Sequence, residues 1–244
     1  MLRPASPAHP SSPTPAGRRL AGYTAAGLAL LLLWDASGLD LPLARWFGSA
    51  HGFALRDNWL FDQALHGGMR TLSWLLLALL ALAVWRPFGA LRQVDRPARL
   101  QLVVTTLLAL LAVSLLKSTS HTSCPWDLSM FGGTAPYVSH WTFGVADGGG
   151  GRCFPAGHAS AGFAFIGGWF VLRTAAPRAA RWWLAAALGA GLLLGLSQQM
   201  RGAHFMSHTL WTAWICWAIA WLVDVVSTVL RTRFGAEHPP HAVA

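Results

Sequence analysis

A chain of 244 residues that is 54% hydrophobic and only 11% charged has too few polar residues to cover a soluble globule of its size, and its apolar residues come in long runs. This composition points to an all-α, polytopic integral membrane protein. The formal net charge of +9 does not signal nucleic acid, because Arg and Lys are scattered between the apolar runs and form no basic stripe.

Residues 1–17 are rich in Pro, Ser and Ala without apolar periodicity, which predicts a disordered tail. Residues 18–231 then form the membrane domain, and 232–244 a second tail. The first span is expected over Leu20 to Trp34, with no convincing small-residue cleavage site after it. From Asp35 to Gly68, aspartates mixed with Trp46, Phe47, Phe53, Trp59 and Phe61 suggest an amphipathic segment lying at the membrane surface. The second and third spans are expected near Arg70 to Trp85 and Leu100 to Leu116, the latter ending at Lys117. Residues 118–155 are the longest polar interval and include Gly148 to Gly151, so they read as a loop, and loops of that length usually carry function. The fourth span runs to Arg173, the fifth from Trp182 to Met200, and the sixth from His208 to Leu230.

The fourth span opens at Cys153-Phe154-Pro155-Ala156-Gly157-His158-Ala159-Ser160, where a glycine-rich loop turns into an apolar helix. Pro suits a helix edge, Gly157 permits close approach to the backbone, and free N–H groups of a first helical turn attract anions. Capping alone also accounts for that octapeptide. Six spans leave two orientations, and the arginines separate them. Arg3, Arg18, Arg19, Arg86, Arg92, Arg96, Arg99, Arg173, Arg178, Arg181, Arg231 and Arg233 fall on one side, against Arg45, Arg56 and Arg152 on the other, with Arg70, Lys117 and Arg201 at its boundary. The positive-inside rule then makes both termini cytoplasmic and gathers Lys117, His121, Asp127, His140, Arg152, His158, Arg201, His204 and His208 at the opposite face.

Three motifs in that set resemble those of the type 2 phosphatidic acid phosphatase family, a six-helix membrane fold. That family has Lys, six residues, Arg-Pro; then Pro-Ser-Gly-His; then Ser-Arg, five residues, His, three residues, Asp. Here Lys117 is followed after six residues by Cys124-Pro125, the second motif reads Pro155-Ala156-Gly157-His158, and the third reads Ser197-Gln198, five residues, His204, three residues, His208. The resemblance implies that His204 attacks phosphorus to give a phosphohistidine, and that His158 protonates the leaving alkoxide and then activates water. It implies phosphate binding by Lys117 and the backbone at Ala156 and Gly157. The family's two arginines fall at Cys124 and Gln198, its serine at Ala156 and its orienting carboxylate at His208. Arg152 and Arg201 are near enough in sequence to restore positive charge, and Asp127 to restore the carboxylate. The expected substrate is a lipid phosphate met among membrane lipids on the periplasmic side of a bacterial inner membrane. No cofactor, metal or obligate protein partner is implied.

Cys124 and Cys153 fall on the non-cytoplasmic side, where oxidising conditions favour a disulfide closing the loop over the site. Two other functions fit the same residues. His204 and His208 have helical metal-ligand spacing that His158, His121 or Asp127 would complete, and a catalytically silent binder of anionic lipid headgroups needs the same cations.

Overall fold

The computed structural model describes residues 15–236 and is largely helical. Four helices are long and apolar enough to cross a membrane: α1 (Pro15–Ser37), and, after the shorter α2 (Asp40–Ala44) and α3 (Met69–Ala83), α4 (Arg96–Thr119). After two short helices, α5 (Ser160–Phe163) and α6 (Gly167–Leu172), come the other two, α7 (Pro177–Met200) and α8 (Met206–Ala236). The expected second span is α3, whose 15 residues rise only about 22 Å. The expected fourth span is the tighter-wound run Ser160–Leu172, made of α5, a 3₁₀ turn over Ala164–Ile166, and α6. Residues 15–17 and 232–236, expected in the tails, belong to α1 and α8, and the rest of both tails lies outside the described residues.

Local chemistry explains the helix starts. The Asp95 carboxylate accepts from the Ala98 N–H at 2.9 Å at the head of α4, with Pro97 in its first turn, and Pro177 opens α7. The tryptophans of α8 tie it to α1: Trp214 Nε1 donates to the Thr24 carbonyl at 3.0 Å and Trp217 Nε1 to Thr24 Oγ1 at 2.9 Å. Glycines let α5 lie directly on α7, since a Cβ at Gly162 would meet the Gly191 nitrogen at 2.3 Å. Arg173, just after α6, grips Asp224 of α8 bidentately at 3.0 and 2.9 Å.

Residues 35–68 pack in part against distant parts of the chain. They hold α2, a hairpin of β1 (Gly48–Ser49) and β2 (Gly52–Phe53), and a wide-wound helical stretch over Leu60–Gly68 that leads into α3. Asp40 accepts from the Ser207 N–H at 2.9 Å, the Ser207 hydroxyl and Trp34 Nε1, so it caps the start of α8. Phe53 packs with Ala44, Leu128, Phe131, Ala135 and Phe205 in a small core separate from the one between the helices.

The polar loop is equally built. Asp147 is buried and accepts from the Ser123 N–H at 2.8 Å, the Ser123 hydroxyl at 2.5 Å and the Gly149 N–H at 3.0 Å. Burial alone would raise its pKa, but these donors hold the carboxyl below its ordinary value. The expected disulfide joins Cys124 to Cys153, with the Cα atoms 5.1 Å apart.

Candidate active site

The ends of α4, α7 and α8 and the turn before α5 meet beneath the polar loop. Lys117 leaves the last turn of α4 and lies across Gly157, where a Cβ would approach Lys117 Cδ to 3.2 Å. A side chain there would press on the lysine, which is the physical reason for glycine at this point. Lys117, Gly157 and His158 line a cavity of about 390 Å³ together with Arg70, Ser73, Ser114 and Ser160.

The helix expected to begin near Pro155 begins at Ser160 instead. The Ala156 N–H donates to the His208 carbonyl at 3.2 Å and the Ala156 carbonyl accepts from Thr212 Oγ1 at 3.1 Å, so α8 holds this residue out of a helix. Ala156 therefore does not offer its N–H to a phosphate. The N–H groups of residues 160–162 are engaged by the carbonyls of residues 157–159, so a helical turn opens at Gly157, and within that turn the Ala159 N–H has no backbone acceptor among the described residues. The Gly157 N–H has no acceptor among the described residues and remains as the backbone donor beside Lys117.

His204 sits in the break between α7 and α8, only 2% exposed, with its ring centroid 6.3 Å from that of His158 and 5.8 Å from that of His208. Burial holds its pKa well below the ordinary histidine value, and the Lys117 charge followed by His208 and His158 pushes the same way. His204 is therefore neutral at neutral pH, the form in which imidazole is a nucleophile. Its Nδ1 lies 3.5 Å from the Cys153 sulfur. Cys153 is fixed by the disulfide and by its N–H to the Thr122 carbonyl at 2.9 Å.

The other sequence-derived candidates are placed differently. The Asp127 carboxylate accepts from the Cys124 N–H at 3.2 Å rather than from His204. Arg152 is exposed, at φ 53°, and does not line the cavity. Arg201 is buried, donating from Nε to the Arg56 carbonyl at 2.8 Å and approaching Gln198 Oε1 at 3.5 Å. The added cation on the cavity wall is Arg70, which the sequence placed only at the boundary. Arg70 stands in the first turn of α3, 47 residues before Lys117, so no local spacing marks it.

Sequence reading also missed Asp35 and gave His140 no role. The Asp35 Oδ2 lies 3.2 Å from His140 Nε2 and accepts from Trp141 Nε1 at 3.0 Å and Trp211 Nε1 at 2.8 Å. His140 stacks on Phe154 at 4.4 Å and stands edge-on to His208 at 5.8 Å, so Asp35 anchors the aromatic packing behind the histidines. His121 lines a neighbouring cavity with His140 and Phe154.

The metal reading meets one cluster among the described residues. Donor atoms of Cys153, His204 and His208 lie within 4.8 Å of one another, but the Cys153 sulfur is bonded to Cys124 and offers no thiolate.

Comparison with known proteins gives one match. The family model described as PAP2 superfamily matches residues 98–231, which takes in α4 through most of α8 and all three motifs. No curated protein and no solved structure matches the chain.

Proposed function

Because the chain belongs to the PAP2 superfamily, whose members act as phosphatases on lipid phosphates, we propose that it is a lipid-phosphate phosphatase or phosphotransferase working through a phosphohistidine. The observation that carries this reading is the meeting of Lys117, His158 and His204 at one end of the bundle, with a neutral buried imidazole beside cations that have no carboxylate partner among the described residues. His204 attacks phosphorus as the bond to the substrate oxygen breaks, and protonated His158 gives its proton to the departing alkoxide. His158 then takes a proton from water as that water attacks the phosphohistidine, releasing inorganic phosphate and free His204. An acceptor alcohol in place of water makes the same step a phosphotransfer.

Charge developing on the equatorial oxygens is met by Lys117, Arg70 and the Gly157 N–H, donors already in place before the reaction. Arg70 takes the role first given to Arg152, while Arg201 and Gln198 support the chain around His204 and Asp127 the loop. His208 packs against the nucleophile with the ring centroids 5.8 Å apart. Counting α3 and Ser160–Leu172 as spans gives a six-helix bundle, and the arginine asymmetry puts both termini in the cytoplasm and the site on the outer face of a bacterial inner membrane.

Phosphate release from a panel of lipid phosphates and from nitrophenyl phosphate tests the reading. His158→Ala should slow release of a poor alkoxide leaving group far more than that of nitrophenolate, which needs no proton. Equal slowing of both would remove His158 from the acid role. Headgroup binding with no phosphate release from any substrate would favour the silent binder.

A further inference from the structure

The histidines on either side of the start of α8 stand against the disulfide. A ring nitrogen of His204 and one of His208 lie within 4.8 Å of each other and of the Cys153 sulfur, and none of the three residues is more than 2% exposed. His208 Nδ1 is buried and makes no hydrogen bond among the described residues. The Cys124–Cys153 bond is not all that holds this arrangement. The Cys153 N–H donates to the Thr122 carbonyl at 2.9 Å, and beside Cys124 the Trp126 N–H donates to the Gly202 carbonyl at 3.0 Å, in the same break that carries His204. These main-chain bonds keep both cysteines next to the histidines when their sulfurs part. Ligand atoms of a tetrahedral zinc, about 2.0–2.3 Å from the ion, stand roughly 3.3–3.8 Å from one another. At its widest the cluster is about 1–1.5 Å too open for that ion, a gap that rotation of a released cysteine side chain and small ring movements can close.

We propose that reduction of the Cys124–Cys153 disulfide turns this cluster into a zinc site, with the thiolates of Cys124 and Cys153 and the imidazoles of His204 and His208 as its four ligands, and that zinc bound there withdraws the nucleophile. A thiolate of an external dithiol attacks the sulfur of Cys124, the partly exposed partner, and expels the buried Cys153 as a thiolate. The dithiol's second sulfur then attacks its first, which releases Cys124 and leaves the dithiol as a cyclic disulfide. Two electrons have passed to the protein, and zinc takes the place of the two protons that the free thiols would carry. Two thiolates and one divalent cation make a site without net charge. With the disulfide intact, the same ion would keep its full charge on two imidazoles, in a buried place where the Lys117 charge already acts on His204. The oxidised protein therefore excludes the metal and the reduced protein admits it. Thiolate with imidazole also selects zinc over the oxygen-seeking magnesium and calcium. A metal on His204 Nδ1, the nitrogen 3.5 Å from the Cys153 sulfur, leaves the ring proton on the other nitrogen, which then has no lone pair to give to phosphorus. Only this last step rests on the phosphohistidine reading.

The test uses the full-length protein in detergent, reduced with a dithiol, freed of it under nitrogen and titrated with cobalt(II), whose spectrum reports tetrahedral geometry and thiolate bonding, and then with zinc. The reduced wild type should take up a single equivalent with a thiolate-to-cobalt charge-transfer band, and zinc should displace the cobalt. The oxidised protein should take up none, and reoxidation should expel the bound metal. His208→Ala, which leaves both cysteines in place, should weaken uptake by more than roughly tenfold. Cys124→Ser should keep the band at lower intensity, from the one remaining thiolate, and His121→Ala, in the polar loop outside the cluster, should leave uptake unchanged. Reduced wild type that takes up no metal, folded or not, overturns the proposal, and so does equal uptake by the oxidised protein or by His208→Ala. Phosphate release separates the metal site from the phosphatase reading. Zinc loading of the reduced protein should silence release and a chelator should restore it. Uptake with no release in any state removes the phosphatase reading alone, and release that persists at full zinc occupancy rules out His204 as a ligand.

Discussion

The two ends of the helix bundle treat their charges in opposite ways. At one end Arg173 and Asp224 form a bidentate pair, Gln101 bridges from Asp224 at 3.5 Å to Arg231 at 3.1 Å, and Arg231 lies 3.8 Å from Asp95. Cation and carboxylate neutralise each other there and fasten α4, α6 and α8. At the other end Asp35, Asp40, Asp127 and Asp147 are also present, but backbone, hydroxyl and ring N–H donors occupy them. Lys117 and Arg70 have no carboxylate partner among the described residues. The proposed phosphate site draws on those two cations.

Perturbing each end separately should expose that difference. The largest effect on stability is expected from Cys124→Ser or Cys153→Ser, since closing a loop of separation 29 is worth roughly 3–4 kcal/mol in the chain-entropy estimate. Denaturant unfolding checks this, and the double variant should add little to either single one. Because the Cys153 sulfur lies 3.5 Å from His204 Nδ1, both variants should also lower kcat. Next comes Lys117→Ala, expected to reduce kcat/KM by about 2–4 kcal/mol of transition-state stabilisation while leaving the melting temperature nearly unchanged. Its counterpart is Arg173→Ala, expected to cost about 1–3 kcal/mol of stability by leaving Asp224 without its pair, with turnover intact in the folded fraction. If Lys117→Ala destabilised and Arg173→Ala inactivated, the distinction between the ends would collapse.

The smallest effect concerns pH. His204 has a folded pKa below its unfolded value of about 6.5, so the unfolded chain binds a proton that the native state refuses. Stability should be complete above that pH and fall as pH drops toward the folded pKa, by up to about 1.4 kcal/mol per unit for this group. Unfolding curves of the wild type and His204→Gln between neutral and mildly acidic pH should diverge accordingly.

How much of this was legible in the sequence depended on distance along the chain. Apolar runs marked α1, α4, α7 and α8 because a span is a local, continuous signal. Lys117, His158, His204 and the Cys124–Cys153 pair were readable as one cluster from motif spacing and from the arginine pattern. Asp40 was not, because its partner Ser207 is 167 residues away and nothing near Asp40 announces it. Arg70 was hidden for the same reason, standing on a different helix from every motif. The late start at Ser160 is likewise tertiary, since α8 takes the Ala156 backbone that a helix would otherwise use.

The most direct test of the central claim is to trap the intermediate. Protein mixed with a lipid phosphate carrying labelled phosphorus, quenched in alkali and digested, should yield one acid-labile, alkali-stable labelled peptide containing His204. His204→Ala should give no label and no phosphate release, and His158→Ala with a nitrophenyl substrate should accumulate label because hydrolysis lacks its base. Phosphate release that persists in His204→Ala, or label on another residue, would contradict the account.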